Sequence, residues 1–439
     1  MKVFTKNMWT VLLLFGLIGQ LAWAVENMYF NLFVFYTIAP DLDTVTLMVQ
    51  LSGIMATLTT LIAGTLCDKT GNRRSFISWG YVIWGITVIL FGSISPALIE
   101  KLFSVENRTA ISIALVAVVV GDCIMTMFGS TANDAAFNAW VTDNTDSAYR
   151  GKIESILSIL PLIAMLIVAG GFGILVNAIG YFGVFTALGV VISLCGIAGI
   201  FIIKDSNTLE KSGTLKDIVY GFKPSVIKDN KSLYITLCIM GVYGIACQIF
   251  MPYLIIYMKA YLGFNELEYS VIFALAILLG GALNVYLGAL ADKKDKTKLL
   301  YVAVGLFALG LFGMYLSKNM DKVLLFILFF ISAFLMISGN IFLSALCGAS
   351  VRDLTPSESA GKLQGVRMIF SVLLPMLFGP MIGNAINKSV NIPLPDLNSA
   401  DVMTTAYIPA PEIFLVGALF SLLIMVLIPV LRKTLKKEN

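Results

Sequence analysis

Long apolar runs, separated by short charged segments, dominate the pattern along this 439-residue chain. The runs hold roughly 20 or more residues, the length at which an α-helix crosses a bilayer. They lack the alternation of a β-barrel strand. Because a lipid-spanning segment must satisfy its own backbone hydrogen bonds, the runs predict membrane helices. We place twelve spans, at 10–38, 44–67, 74–95, 109–141, 153–177, 180–203, 233–258, 267–291, 299–317, 322–349, 362–387 and 411–431.

Composition supports an all-α membrane protein. Hydrophobic residues make up 58% of the chain and charged residues 13%, against roughly 45–50% and about 25% in soluble domains. A chain this apolar needs lipid around it. An alternative for the first run is a cleaved signal peptide, because Ala22–Ala24 loosely fits a cleavage site. The run continues to Ile38, which favours a first span.

The basic residues lie mostly on one side of the predicted spans. Six of the 30 Lys and Arg residues fall on one side, and the other 24 share the side of both termini. Cytoplasmic loops carry such an excess. We therefore expect a multi-pass protein of the cytoplasmic (inner) membrane with both termini in the cytoplasm.

Two sequence repeats divide the chain into halves. GTLCDKTGNRR at 64–74 recurs as GALADKKDKTK at 288–298, after an even-numbered span each time. VTDNTDSAYRGK at 141–152 recurs as VRDLTPSESAGK at 351–362, with six of twelve positions identical. Repeated halves are typical of transporters. We predict six-helix bundles at 1–203 and 233–439, joined by a cytoplasmic linker at 204–232.

The first of these loops resembles the signature of the major facilitator superfamily, G-x-L-x-D-(R/K)-x-G-x-(R/K)-(R/K). The resemblance implies two six-helix bundles, transport by alternating access, no cofactor beyond a coupling ion, and a monomer as the functional unit. It also implies that charges of the signature loops lock a cytoplasmic gate. The less favoured alternative is that the positive charges only mark topology. The gate candidates are Asp68, Arg73, Arg74, Asp143, Arg150, Asp292 and Asp353.

Within that superfamily, the first and fourth spans are similar to those of cation-coupled sugar symporters, the sucrose-transporter-like and glycoside–pentoside–hexuronide branch. The similar segments are WAVEN at 23–27 and NDAAFNAWVTD at 133–143. This resemblance implies a sugar or glycoside as the solute. Melibiose-type relatives carry two aspartates in the second span for Na⁺, whereas here that span has no carboxylate before Asp68.

Three carboxylates lie inside predicted spans, namely Glu26, Asp122 and Asp134. A charged carboxylate at the bilayer centre costs about 2.5–3.5 kcal/mol on insertion scales, so such a group is a functional candidate. We predict that they couple transport to H⁺ or, less favoured, to Na⁺. The alternative is a hydrogen-bonded structural role.

Polar and aromatic residues at helical spacing predict the faces that bind the solute. Amides can hydrogen-bond sugar hydroxyls, and an indole ring can stack on a pyranose. An alternative role for such side chains is helix–helix contact. The candidates are Gln20, Trp23, Asn27, Asn31, Thr126, Asn133, Gln248, Tyr253, Tyr257, Asn340 and Ser344.

Other chemistry finds little support in the chain. There is no histidine, the six cysteines lack a CxxC spacing, and no phosphate-binding loop or nucleophile pattern occurs. We expect neither an enzyme, a metal site nor a nucleic-acid partner. An H⁺-coupled exporter of apolar or cationic drugs fits the same fold, and a membrane receptor built on a transporter fold is a third possibility.

Overall fold

The structure, a computed structural model, describes residues 5–145, 147–205, 220–291, 294–318, 320–356, 360–394 and 406–438. It is built almost entirely from helices. They are α1 (Lys6–Ile38), α2 (Leu42–Thr70), α3 (Arg73–Ser93), α4 (Asn107–Asn144), α5 and α6 within 147–202, α7 (Lys231–Ala260), α8 (Glu266–Ala291), α9 (Lys296–Leu316), α10 (Lys322–Leu354), α11 (360–390) and α12 (Glu412–Glu438). Short helices Pro96–Phe103 and Pro224–Asp229 connect α3 to α4 and precede α7.

Twelve of these helices cross the membrane. Among the described residues, eleven stretches are long and apolar enough to do so, and one of them, Ile156–Ile202, has 47 residues. At about 1.5 Å per residue, that stretch is more than twice the hydrocarbon thickness of about 30 Å. Gly180 divides it, with φ 72° and ψ 169°. The predicted boundary between the fifth and sixth spans is therefore confirmed.

We expect Gly180→Ala to lower the free energy of unfolding by about 1–3 kcal/mol, because its backbone region is essentially restricted to glycine. A Cβ at Gly180 would meet no atom within 4 Å, so the effect isolates backbone strain. Thermal unfolding in detergent measures it. Gly171→Ala is the matched control, since its Cβ also meets open space within the same stretch and its φ is not positive. Equal melting temperatures of the two variants would contradict this explanation.

The chain forms two compact units, Met1–Leu215 and Lys216–Asn439. In the first unit, small residues bring α3 and α6 together. A Cβ on Gly85 would lie 2.2 Å from the carbonyl oxygen of Gly189, and one on Gly196 would lie 2.6 Å from the carbonyl oxygen of Ser78. Lipid is as apolar as the side chains, so the hydrophobic effect does not drive helices together in a membrane. The van der Waals contacts of this close packing stabilise the helix pair instead.

Glycines also allow close helix packing at two places in the second unit. A Cβ on Gly310 of α9 would lie 2.3 Å from the amide nitrogen of Met336 in α10. On α11, Gly379 and Gly383 pack against α7, where a Cβ on Gly383 would lie 2.1 Å from the carbonyl oxygen of Ile249. The four-residue spacing of these two glycines places them on one face of α11.

Two connecting segments differ from a simple loop. The linker contains the helix Pro224–Asp229, while residues 206–219 lie outside the described part. The segment between α11 and α12 carries a two-stranded antiparallel pair, β1 (Ile392–Pro393) and β2 (Tyr407–Ile408). Asn384 and Asn387 of α11 fasten it, because Asn384 Oδ1 accepts from Tyr407 Oη at 2.8 Å and Asn387 Oδ1 accepts from the N–H of Ala410 at 2.9 Å.

Candidate functional site

Two buried carboxylates face each other across α1 and α4 in the first unit. Glu26 is 8% exposed and Asp122 is 2% exposed. Thr126, one turn after Asp122, donates its hydroxyl to Glu26 Oε1 at 3.1 Å. Asp122 and Asp134 both lie close enough to Glu26 to interact with it electrostatically. The three carboxylates that the sequence singles out therefore lie in one region of the first unit.

No positive charge compensates the Glu26–Asp122 pair among the described residues, whose ion pairs all lie elsewhere. Glu26 Oε2 and Asp122 Oδ1 are buried and have no hydrogen-bond partner. The Ser52 hydroxyl of α2 lies beside Asp122 but donates to the carbonyl of Val49 at 3.1 Å. An uncompensated buried ion costs several kcal/mol. The pair is therefore suited to hold a proton or a small cation.

Short π-helical segments interrupt both helices, beginning at Glu26 in α1 and enclosing Asp134 in α4. Glu26–Phe30 and Val34–Ile38 are π-helical in α1, and Ser130–Phe137, which contains Asp134, is π-helical in α4. A π turn bonds i to i+5 and often marks a functional site. It also shifts the side chains that follow it. Side chains beyond Glu26 and Ser130 are therefore shifted from the faces that regular α-helical spacing predicts.

An aromatic pair lies next to Asp134. The rings of Trp23 and Trp84 have centroids 5.0 Å apart. Gly129 makes room for them, since a Cβ there would lie 2.8 Å from Trp84 Cε2 and 3.0 Å from Trp23 Cη2. Both indole N–H groups are buried without an acceptor. The Trp23 indole and the Ser130 hydroxyl lie beside the Asp134 carboxylate but do not reach hydrogen-bond geometry.

Arg73 connects three elements at the signature loop. Its Nη2 is 2.5 Å from Asp68 Oδ1 at the end of α2, and its Nε is 2.9 Å from Asp143 Oδ2 at the end of α4. The Arg73 side chain is only 5% exposed. Gly71 ends α2 in the left-handed conformation, with φ 70°. That glycine lets the chain reverse so that Arg73 faces both carboxylates.

Arg74 holds the start of the linker. Its backbone N–H donates to Asp205 Oδ1 at 2.9 Å, and its guanidinium donates to the carbonyl of Ile200. Trp140 Nε1 donates to the carbonyl of Lys204 at 2.9 Å. Burial raises the pKa of Asp205, and the hydrogen bond from Arg74 partly opposes that rise.

The second signature loop forms a weaker version of the same contact. Lys296 Nζ lies 2.5 Å from Asp353 Oδ2, but Asp353 is 61% exposed. Asp295 stands where the first copy has Gly71, and it caps α9 by accepting from the N–H of Thr297 at 2.9 Å. Hydrogen bonds from Thr297 lower the pKa of Asp295. Asp292 and the side chain of Arg150 lie outside the described residues.

In the second unit, a polar group of three joins α7 and α10. Tyr243 Oη donates to Asn340 Oδ1, and Cys247 Sγ lies 3.3 Å from the same oxygen. All three side chains are half-buried. The sequence singles out Asn340 but misses Tyr243 and Cys247. Both residue types are common in membrane helices, and a spacing of one helical turn does not distinguish them from ordinary packing residues.

Comparison with known proteins places the chain in a family. The sequence profile of the Major Facilitator Superfamily matches residues 11–380 and again residues 236–439. The chain belongs to the Major Facilitator Superfamily. No curated protein sequence matches it significantly.

Solved structures of this superfamily share the fold over the whole chain. A single-residue mutant of the nucleoside transporter NupG superposes with a TM-score of 0.70 at 11% identity, covering 96% of this chain and 99% of the other. A bacterial homolog of the lysosomal transporter Spinster, inward-facing and unoccupied, gives 0.64 at 12%, covering 99% of each chain. A bacterial homologue of the iron transporter ferroportin gives 0.63 at 13%, covering 98% and 99%. The chain is a membrane transporter by fold.

Several predicted solute-binding residues of this superfamily member use their polar atoms within the protein. Asn27 Nδ2 donates to the carbonyl of Trp23 at 2.7 Å, and Asn31 Nδ2 donates to that of Asn27 at 3.4 Å. Tyr253 is fully buried and donates to the carbonyl of Pro380 at 2.9 Å. Tyr257 is also buried and its ring stacks on that of Tyr261 at 4.9 Å, but its hydroxyl has no hydrogen-bond partner. Asn31, Tyr253 and Tyr257 are thus buried in this structure, whereas Asn27 is exposed.

The remaining candidates are partly accessible or bonded between helices. Gln20, Trp23, Gln248 and Asn340 are half-buried, and Ser344 is exposed. Thr126 is committed to Glu26, as described above. Asn133 is 3% exposed, and its Nδ2 donates to Tyr81 Oη at 2.7 Å, while Tyr81 donates to the carbonyl of Phe15 at 2.7 Å. Asn133 therefore ties α4 to α3 and α1.

We expect Tyr81→Phe to lower the free energy of unfolding by about 1–3 kcal/mol, because it leaves the buried Asn133 amide without its acceptor. Thermal unfolding in detergent measures the change. Tyr286→Phe is the control, because that side chain is 68% exposed. A Tyr81→Phe protein that melts like the wild type would show that the hydrogen-bonded link contributes nothing.

Proposed function

We propose that this transporter is a secondary active symporter that moves a small hydrophilic solute, a sugar or glycoside, together with H⁺ or Na⁺ by alternating access. The observation that carries this proposal is the buried Glu26–Asp122 pair, which has no compensating positive charge among the described residues and two oxygens without partners. When an ion neutralises the pair, the conformation in which both carboxylates are buried becomes more stable. Ion binding and conformation are therefore linked.

The surroundings of the pair support a hydroxylated solute. The half-buried indole ring of Trp23, which packs on Trp84, offers an apolar surface beside the polar Asp134 carboxylate. We place the protein in the cytoplasmic membrane, with both termini in the cytoplasm, and expect it to work as a monomer without a further cofactor. Nucleosides belong among the test solutes, because they carry a sugar and a structural neighbour transports them.

Uptake into proteoliposomes tests the proposal. An inward gradient of H⁺ or Na⁺ should drive accumulation of an uncharged sugar, glycoside or nucleoside, and an ionophore that dissipates the gradient should abolish it. An outward-directed flux of cationic dyes in exchange for H⁺ would instead support the drug exporter. Absence of flux for any solute under either gradient would leave the receptor interpretation.

A further inference from the structure

We infer that exposed basic side chains at the starts of α7 and α9 and at the end of α12 form a binding site for the phosphate group of an anionic phospholipid. The residues are Lys231, Lys298, Arg432 and Lys433. All four belong to the second unit, whereas the carboxylates proposed for ion coupling belong to the first. The inference adds a lipid ligand to the transporter and does not depend on which solute it moves.

These three helix ends meet at one face of the membrane. Each helix crosses once, so odd-numbered helices begin at the face where even-numbered helices end. Helix α12 packs against both α7 and α9. The hydroxyl of Ser232 donates to Thr434 Oγ1 at 3.0 Å, which joins the start of α7 to the end of α12. Arg432 and Lys298 both lie close enough to Asp295 to interact with it electrostatically, so the start of α9 lies beside the same end of α12.

The positive charge at this place is not compensated within the protein. All four basic side chains are exposed, and the ion pairs of the described residues involve other basic groups. Asp295 Oδ1 accepts from both the N–H and the hydroxyl of Thr297. In the first unit, by contrast, Arg73 is held between two carboxylates. Ammonium and guanidinium groups only donate hydrogen bonds, so the site complements an anion that accepts them.

The first turn of α7 adds backbone donors to these charges. Asn230 precedes the helix, and its side-chain amide donates to the carbonyl of Val226 at 2.9 Å instead of capping α7. Helix α9 differs, because Asp295 caps it. A helix start without a side-chain cap favours a phosphate through its N–H groups and its dipole. Lys231 is the first residue of α7, so charge and backbone donors occur at the same place.

An exposed apolar surface next to the site favours a lipid over a soluble phosphate compound. The short helix Pro224–Asp229 immediately precedes α7, and Phe222 and Ile227, before and within it, are 44% and 39% exposed. Val226 of the same helix is buried among side chains of α7, α10 and α11, which fixes the helix to the second unit. Apolar side chains next to basic ones enter the boundary between lipid headgroups and acyl chains. A phospholipid presents that boundary together with its phosphate.

Lipid binding to the purified full-length protein in neutral detergent, resolved by native mass spectrometry, tests the ligand class. Phosphatidylglycerol should bind at least about tenfold more tightly than phosphatidylcholine with the same acyl chains, because only the former headgroup carries a net negative charge. Its dissociation constant should rise as salt is added, since exposed charges are screened. Glycerol phosphate and inorganic phosphate lack acyl chains, so each should displace the lipid only at concentrations at least about tenfold higher than the lipid itself.

Two double variants locate the site. Lys231→Gln combined with Lys433→Gln should weaken the binding of phosphatidylglycerol by about tenfold or more. The matched control combines Lys6→Gln with Lys69→Gln, because both side chains are exposed at the start of α1 and the end of α2 and take part in no described ion pair. Both variants lose two charges at the same membrane face. A general attraction between anionic lipid and positive charge therefore predicts equal effects, whereas the site predicts a loss only in the first.

A photoactivatable phosphatidylglycerol shows where the lipid lies. It should label peptides at 220–233 and 430–438 of the wild type, with less labelling in the first double variant and unchanged labelling in the control. Melting temperatures identify a variant that fails to fold, and the comparisons of lipids and salt concentrations use the unaltered protein. Equal affinity for the two lipids, an equal loss in the two double variants, labelling confined to other peptides, or displacement by inorganic phosphate at the concentration of the lipid would each overturn the inference.

Discussion

Glu26→Gln is expected to abolish gradient-driven accumulation of the solute while leaving exchange of solute across the membrane intact. For one H⁺ per solute, a pH difference of one unit sustains about tenfold accumulation, since one pH unit corresponds to about 1.4 kcal/mol. The amide has the size of the acid and can still accept from Thr126, but it cannot take up a proton or neutralise a cation. The internal and external concentrations should therefore become equal. Asp122→Asn should behave in the same way.

Two assays on the same proteoliposomes separate coupling from binding. Accumulation under an imposed gradient measures coupling, and counterflow without a gradient measures solute exchange. Glu106→Gln is the control, because it removes an exposed carboxylate in the same unit. Full accumulation by both Glu26→Gln and Asp122→Asn would remove these residues from the coupling mechanism. Loss of counterflow as well would mean that they bind the solute.

Arg73→Met is expected to destabilise the first unit by about 1–3 kcal/mol, the range for lost hydrogen bonds to charged groups. Asp68 and Asp143 lose the buried guanidinium that both contact, and their side chains are 45% and 20% exposed, so water compensates part of the loss. The internal repeat supplies a matched control. Lys296→Met breaks the exposed pair with Asp353, and exposed pairs contribute about 0–1 kcal/mol.

The reactivity of the Cys67 thiol measures local opening beside Arg73. Its thiol is fully buried beside the Arg73 guanidinium. The rate at which a maleimide labels Cys67, followed by mass spectrometry, should rise by about tenfold or more in Arg73→Met, because each 1.4 kcal/mol of local opening is about tenfold. It should change little in Lys296→Met. Similar rates in the two variants would mean that the buried pair does not hold the ends of α2 and α4.

The two copies of the signature loop also differ in a way that bears on gating. The first copy combines a glycine turn with a buried arginine between two carboxylates, and the second replaces the glycine by the helix-capping Asp295. The first copy therefore makes the more buried ion-pair contact of the two. The loss of the glycine in the second copy then has a structural cause, because the chain there begins a helix directly.

The sequence predicts the fold of this protein well for a simple reason. Backbone N–H and C=O groups must be hydrogen-bonded within lipid, so a long run of apolar residues forms an α-helix. A run of about 20 residues is long enough for one crossing. The helices α2, α7 and α10 extend only a few residues beyond their predicted spans. The same exclusion makes Glu26 and Asp122 conspicuous in the sequence, and they do meet in the structure.

The site was predictable only in part. Regular helical spacing assigned faces to α1 and α4, but π-helical segments at Glu26 and Ser130 change the register there. Spacing also cannot say which hydrogen-bonding groups are already used. Asn133 and Tyr253 bond to neighbouring helices, whereas the indole of Trp84 and the hydroxyl of Ser130, which no pattern marks, are left without partners.

Twelve crossings, two related halves and the presence of acids in the first and fourth helices are thus consequences of residue order and of the bilayer as solvent. Packing decides which of those polar groups is open. Glycines such as Gly129 set the distance between helices, and that distance determines whether a donor meets a backbone carbonyl, a side chain or nothing. Partners far apart along the chain, such as Glu26 and Thr126, are brought within 3.1 Å only when the helices assemble.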